Sequence, residues 1–178
     1  MNSKALILID GSNFYFKLKA QNFGNLLKFS FRDFAEMLAE KDKIIDARYY
    51  IGRVRQDGTK RVDKMVADQQ RLFARLKKNN FRYVLGYLLK TDGVYHEKGV
   101  DVQIAIDIIE AAYENICDRI ILISSDTDLI PAITKAIKKG KTVEYIGFSH
   151  QPSKAMMNCC SKYRLLTKND IGRFIQSP

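Results

Sequence analysis

Asp10, Asp101, Asp126 and Asp128 are the residues of this chain whose settings could do chemistry. The run Ile120-Ile-Leu-Ile-Ser-Ser-Asp-Thr-Asp-Leu-Ile-Pro131 puts two carboxylates where an apolar strand stops and a helical pattern begins. Ala5-Leu-Ile-Leu-Ile-Asp10-Gly-Ser-Asn13 ends in the same way, and Lys98-Gly-Val-Asp101 offers a further acid at a helix start. Open α/β sheets bind ligands at such strand ends. Oxygen donors gathered there suit Mg2+ or Mn2+, which retain waters and bridge to phosphate. A cation so held lowers the pKa of a bound water and stabilises charge on a phosphate in transit. Asn13, Ser124, Ser125 and Thr127 suit hydrogen bonding to a phosphate or to water on the metal. Local roles also exist: Asp10-Gly11 as a turn, Asp101 as a helix cap, and Ser125 with Asp128 as a capping box. None of these explains why the acids share one predicted edge. Asp107 follows Asp101 by six residues, about 120° around a helix, and projects near Gln103, Glu110 and Glu114 onto a solvated face.

The elements that must position these acids alternate. Strand-length apolar runs occur at Ala5–Ile9, Ala47–Val54, Tyr83–Leu89, Ile120–Ser124 and Thr142–Gly147. Helical patterns occupy Phe31–Glu40, Val62–Lys78, Val100–Glu114, Leu129–Lys139 and Ser153–Tyr163. This order predicts an α/β fold, with a mostly parallel sheet covered by helices on both faces. Phe23–Ser30 reads as a partly apolar loop, and Thr91-Asp92-Gly93 as a turn opening a short hairpin that leads to Asp101. If the first and fourth strands are neighbours where the strand order reverses, Asp10, Asn13, Asp126 and Asp128 meet in a crevice. Without repeats or a linker, residues 1–178 read as a single domain.

Composition narrows the function. A 46% hydrophobic content supplies a core, while no apolar run approaches the roughly 20 residues that cross a bilayer. Met-Asn-Ser-Lys leads directly into a strand without a secretory pattern, so a cytoplasmic protein with no membrane partner is expected. The three cysteines lack zinc-ligand spacing and read as buried thiols. The net charge of +10 attracts polyanions. Basic residues concentrate at Lys60, Arg61, Lys64, Arg71, Arg75, Lys77 and Lys78, and again at Lys135, Lys138, Lys139 and Lys141. Solvated helix faces account for either cluster alone; beside a cation site they point to nucleic acid, with Lys64, Arg71 and Arg75 as candidate phosphate contacts. Phe14, Tyr15, Phe16, Tyr87 and Tyr95 are candidates to stack on unpaired bases. His96 and His150 are assigned to loops.

Ile9-Asp10-Gly-Ser-Asn13-Phe14, Lys98-Gly-Val-Asp101-Val with Asp107 beyond it, Ser124-Ser-Asp126-Thr-Asp128-Leu and Gly140-Lys-Thr-Val143 resemble, in order and spacing, the NYN domains of the LabA-like group. The resemblance runs from the first strand to at least Gly147. It implies a three-layer PIN-like fold with a central sheet in the order 3-2-1-4-5. It also implies a ribonuclease whose Asp10, Asp101, Asp126 and Asp128 bind Mg2+ or Mn2+ and thereby activate water, with Asn13 beside them and Asp107 as an additional acid. RNA is the implied partner, and a homodimer stays open. The family's Ser-Gly-Asp-Ser-Asp-Phe is here Ser124-Ser125-Asp126-Thr127-Asp128-Leu129, so both acids are kept while Ser125 adds a Cβ where a ligand approaches backbone. The alternative reading is a catalytically weak RNA-binding or assembly module on the same fold. A haloacid dehalogenase-type phosphatase ranks lower, because it wants an acid at position 12, which is Ser12.

Overall fold

The computed structural model describes residues 3–54, 56, 58–91 and 94–175, with side chains described outside 87–97. Seven strands form one sheet: β1 (Lys4–Asp10), β2 (Lys43–Arg53), β3 (Arg82–Thr91), β4 (Val94–Lys98), β5 (Arg119–Ile123), β6 (Thr142–Phe148) and β7 (Lys162–Leu166). Their order is β4-β3-β2-β1-β5-β6-β7, and every pairing is parallel except β3 with β4. Counting only the parallel strands, this is the expected 3-2-1-4-5 with a sixth added at one edge. The order reverses between β1 and β5, where Ile9 pairs with Ile123.

Helices α1 (Gly11–Ala20), α2 (Phe31–Ala39), α3 (Lys60–Lys78), α4 (Val100–Tyr113), α5 (Ile130–Lys138), α6 (Lys154–Cys159) and α7 (Lys168–Gly172) complete the fold. Strand alternation sorts the core into two layers. Ala5, Ile7 and Ile9 face a cluster built from Phe14, Phe29, Phe31, Phe34, Phe148 and Phe174, to which α3 adds Leu72, Phe73 and Leu76. Leu6 and Leu8 face the opposite cluster, where Ile104 and Ile108 of α4, Ile133 of α5 and Met156 of α6 pack. Both faces of the sheet are therefore covered, as parallel strands require.

Several expectations shift. Helix α1 follows Asp10 without an intervening loop, because Asp10 caps it by accepting the Asn13 amide. The helix expected over Ser153–Tyr163 stops at Cys159, and Lys162–Leu166 pairs with β6 instead. Lys162-Tyr-Arg-Leu-Leu is a run whose exposed and half-buried positions suit an edge strand. In Phe23–Ser30, a 3-10 turn at Leu26–Lys28 helps bury Leu26 and Phe29 in the aromatic core. The hairpin forms, with Thr91 opposite Val94, while its turn residues Asp92 and Gly93 lie outside the described residues.

Candidate functional site

Asp10 is the last residue of β1, buried, and oriented by two bonds. Its Oδ1 accepts the Asn13 amide at 3.0 Å, and its Oδ2 accepts the Ser124 hydroxyl at 2.9 Å. The neighbouring Gly11 is fixed by space: a Cβ there would overlap the Tyr49 ring and the Tyr50 carbonyl oxygen. Tyr49 also donates its hydroxyl to the Gly11 carbonyl at 3.2 Å, so β2 holds the start of α1 against β1.

The end of β5 is stitched to the same point. Ser124 accepts the Asp126 amide at 3.1 Å while donating to Asp10, so one hydroxyl ties together the segments carrying both acids. Asn13 Oδ1 accepts the Ser125 amide at 3.3 Å. Asp126 in turn caps the 3-10 turn Thr127–Leu129 by accepting the Asp128 amide at 2.9 Å. The expected Ser125–Asp128 capping box is absent, because the Ser125 hydroxyl bonds the Tyr145 hydroxyl at 3.0 Å. Tyr145 also accepts the Ser153 amide, linking this loop to the start of α6.

Asp126 is half-buried, while Thr127 and Asp128 are exposed. Asp101 is exposed in the first turn of α4, whose N-cap is Gly99 in the left-handed conformation rather than Asp101 itself. Helix α4 packs on β1, β2 and β3 and on the Thr127–Leu129 turn, so its start belongs to the edge where β1 and β5 end. Among the described residues, however, no three Asp, Glu, His or Cys side chains converge closely enough to hold a metal ion. The all-oxygen donor set of carboxylates, amide and hydroxyls therefore fits a hard cation that keeps much of its water shell, and does not fit a closed cage of direct carboxylate ligands.

Asp107 departs from the solvated face expected for it. It is 4% exposed and accepts bonds from the Tyr50 hydroxyl, from Gln103 at 2.8 Å and from Arg48 at 2.7 Å. Burial and the adjacent Asp107 carboxylate push the Tyr50 phenol well above its ordinary pKa. Arg48 also bonds Asp46, which pairs with Arg82, so Asp107 belongs to an ionic chain over β2. Helical projection missed this because two of the three partners, Arg48 and Tyr50, come from alternate positions of a distant strand.

The basic residues divide along α3. Gln69, midway along the helix, bonds the Gly52 carbonyl and the Val54 amide at the end of β2, so Lys60, Arg61 and Lys64 extend beyond that strand end, whereas Arg71 and Arg75 lie roughly 10–23 Å further along the axis. Lys64 is exposed, Arg71 pairs with Asp68 at 3.0 Å, and Arg75 donates to the Phe29 carbonyl at 2.9 Å, an anchoring role. Phe14 is core, whereas Phe16 is 64% exposed beside Tyr15 and one turn beyond Asn13. Tyr87, Tyr95 and His96 have side chains outside those described. The sequence reading also missed Lys17, which donates to the Gln151 carbonyl at 3.0 Å and ties α1 to the loop after β6. His150 sits in that loop, against Gln21.

A model described as the NYN domain matches residues 4–167. No curated protein matches the chain. Among solved structures, a protein of unknown function from Vibrio parahaemolyticus RIMD 2210633 is similar at 22% identity, covering 93% of each chain with a TM-score of 0.71. The T5 5'-exonuclease with bound zinc is similar at 18% identity and a TM-score of 0.47, covering 86% of this chain and 60% of that one. The bacteriophage T5 flap endonuclease in a complex with DNA and metal ions gives the same values. The chain thus spans about 60% of the length of these phage nucleases.

Proposed function

This chain belongs to the NYN domain family, and on that footing we propose that it is a metal-dependent ribonuclease of the LabA-like group, hydrolysing RNA phosphodiester bonds. The observation that carries the reading is the meeting of the Asp10 and Asp126 segments at the switch point between β1 and β5, joined through Ser124. Mg2+ or Mn2+ at this edge supplies charge neutralisation for the phosphate and a lowered pKa for the attacking water. Asp10 and Asp126 hold it, directly or through its waters, with Asp101 and Asp128 adding negative charge from the flanking helix start and turn.

Asn13 has its carbonyl committed to the Ser125 amide, so its NH2 group is the donor offered to a phosphate oxygen. Thr127 stands exposed next to the acids and serves the same role. Ser124 and Ser125 act by position: the first keeps the two acids in register, and the second holds the loop to Tyr145. Lys60, Arg61 and Lys64 supply sequence-independent attraction for the RNA backbone at the near end of α3. Phe16 offers a stacking surface one turn from Asn13, which favours unpaired bases.

A second reading, a weakly catalytic RNA-binding module, is favoured by the lack of a converged three-acid cluster among the described residues. Cleavage of single-stranded and structured RNA by nuclease-free protein, with and without Mg2+ or Mn2+, separates the two. Metal-dependent product formation supports the enzyme. Retained RNA binding with no turnover under either metal supports the module.

A further inference from the structure

Helix α4 carries more apolar surface than its place in the fold uses. Val100, Ile104, Ile108 and Ala111 face the core, yet Val102, Ile106 and Tyr113 on the other side are 63%, 52% and 56% exposed. Ile109, half-buried, lies in line with them. A helix apolar all round is ordinarily buried on all sides. Positions 102, 106, 109 and 113 follow the 4-3-4 spacing of a coiled-coil seam and occupy the side of α4 opposite its core face.

The seam has a symmetry of its own. Val102 and Tyr113 are equidistant from a point between positions 107 and 108, and so are Ile106 and Ile109. An antiparallel copy of the same helix therefore sets Val102 against the partner's Tyr113 and Ile106 against the partner's Ile109, the reciprocity an isologous two-fold contact demands. Charge agrees with this register. Helix α4 has no Lys or Arg, and its exposed charges are acidic at Asp101 and Glu110. Lys139, following α5, lies 4.2 Å over the Tyr113 ring. The two-fold brings that ammonium to the level of the partner's Val102, beside the acidic start of the partner's helix.

We propose that the exposed face of α4 is a homodimer interface, formed by antiparallel pairing of two copies of this helix about a two-fold axis between positions 107 and 108. A helix of 14 residues is about 21 Å long. One such face against its copy buries on the order of 800–1,000 Å² in total, below the standard specific range and within that of weak, transient contacts. The dimer is accordingly weak and reversible, and it depends on protein concentration. It does not rest on the ribonuclease reading.

Sedimentation velocity on the whole chain from about 1 to about 200 µM tests it. The wild type is expected to pass from monomer to dimer. Ile106→Glu, whose site is exposed enough to tolerate a charge in the monomer, is expected to raise the dissociation constant at least about tenfold. Ile109→Lys should do likewise, its stem lying along the helix while the ammonium reaches water. Mixing the two variants restores association, because the Glu of one copy then meets the Lys of the other. Circular dichroism confirms that each variant is folded. A wild type that stays monomeric throughout, a folded Ile106→Glu protein that still dimerises normally, or a mixture that fails to associate would each overturn the proposal. The first result would leave the seam to a different protein.

Discussion

Asp126 and Asp107 are both carboxylates near one edge of the sheet, but their surroundings assign them different work. Asp126 is half-buried and accepts one backbone amide as a turn cap, a task Asn performs nearly as well. Asp126→Asn is therefore expected to leave the melting temperature nearly unchanged. On the proposed ribonuclease mechanism it should lower RNA cleavage by at least about 100-fold, because it would remove charge from the coordination sphere of the cation. Full metal-dependent cleavage by the variant would refute the assignment. Asp107 is enclosed by Arg48, Tyr50 and Gln103, so Asp107→Asn leaves Arg48 with one of its two counter-charges, Asp46. That change is expected to cost about 1–3 kcal/mol in urea unfolding. The protein that remains folded should still cleave RNA, and a silent unfolding curve with lost cleavage would instead make Asp107 part of the catalytic site.

Helix α3 illustrates how an element's direction sorts residues that composition alone treats alike. Lys64 lies in the half of the helix that extends beyond the end of β2, whereas Arg75 is occupied with the Phe29 carbonyl. Lys64→Glu together with Arg61→Glu is expected to weaken RNA binding and flatten its salt dependence by about two phosphate contacts, each worth about one unit of slope. Arg75→Glu should mainly lower stability, since it breaks a partly buried bond between α3 and the segment before α2. Equal loss of affinity from both changes, with stability untouched, would move the RNA path along the whole helix.

The same dependence on context explains what was readable beforehand. Runs such as Ala5–Ile9 and Ile120–Ser124 announced strands because burial on both faces forces continuous apolar residues. The pairing of Asp10 with the Asp126 segment followed from strand order. Helix α1 was not readable, because only Gly11, Phe14 and Leu18 are buried and its cap, Asp10-Gly11, has the composition of a turn. Strand β7 was hidden by a preceding helical turn and by an edge position that tolerates Lys162 and Arg164. The Tyr145 bridge to Ser125 and Ser153 depends on three separate elements meeting, which no local pattern encodes.

Across the whole molecule, two kinds of titrating group give stability two separate responses to acid. His150 has its pKa lowered by burial and by Lys17, so between its folded value and about 6.5 the unfolded chain binds more protons than the folded one. Its contribution declines as pH falls below about 6.5, and only shallowly, because the residue is largely exposed. Asp46 responds later. Burial acts to raise its pKa, but hydrogen bonds from Arg82 and Arg48 prevail and hold the carboxyl below its ordinary value. A depressed carboxyl contributes fully above about pH 4 and loses that contribution as pH falls through the folded-state value. Since Asp46 also fixes Arg48, and Arg48 fixes Asp107, protonation there loosens the contact of β2 with α4. Urea midpoints measured from pH 7 to pH 3 should therefore show a gentle decline and then a steep one. Asp46→Asn should start lower at pH 7 and flatten the steep limb alone, leaving the decline near pH 6 in place. A variant whose curve runs parallel to the wild type below pH 4 would show that acid lability arises elsewhere.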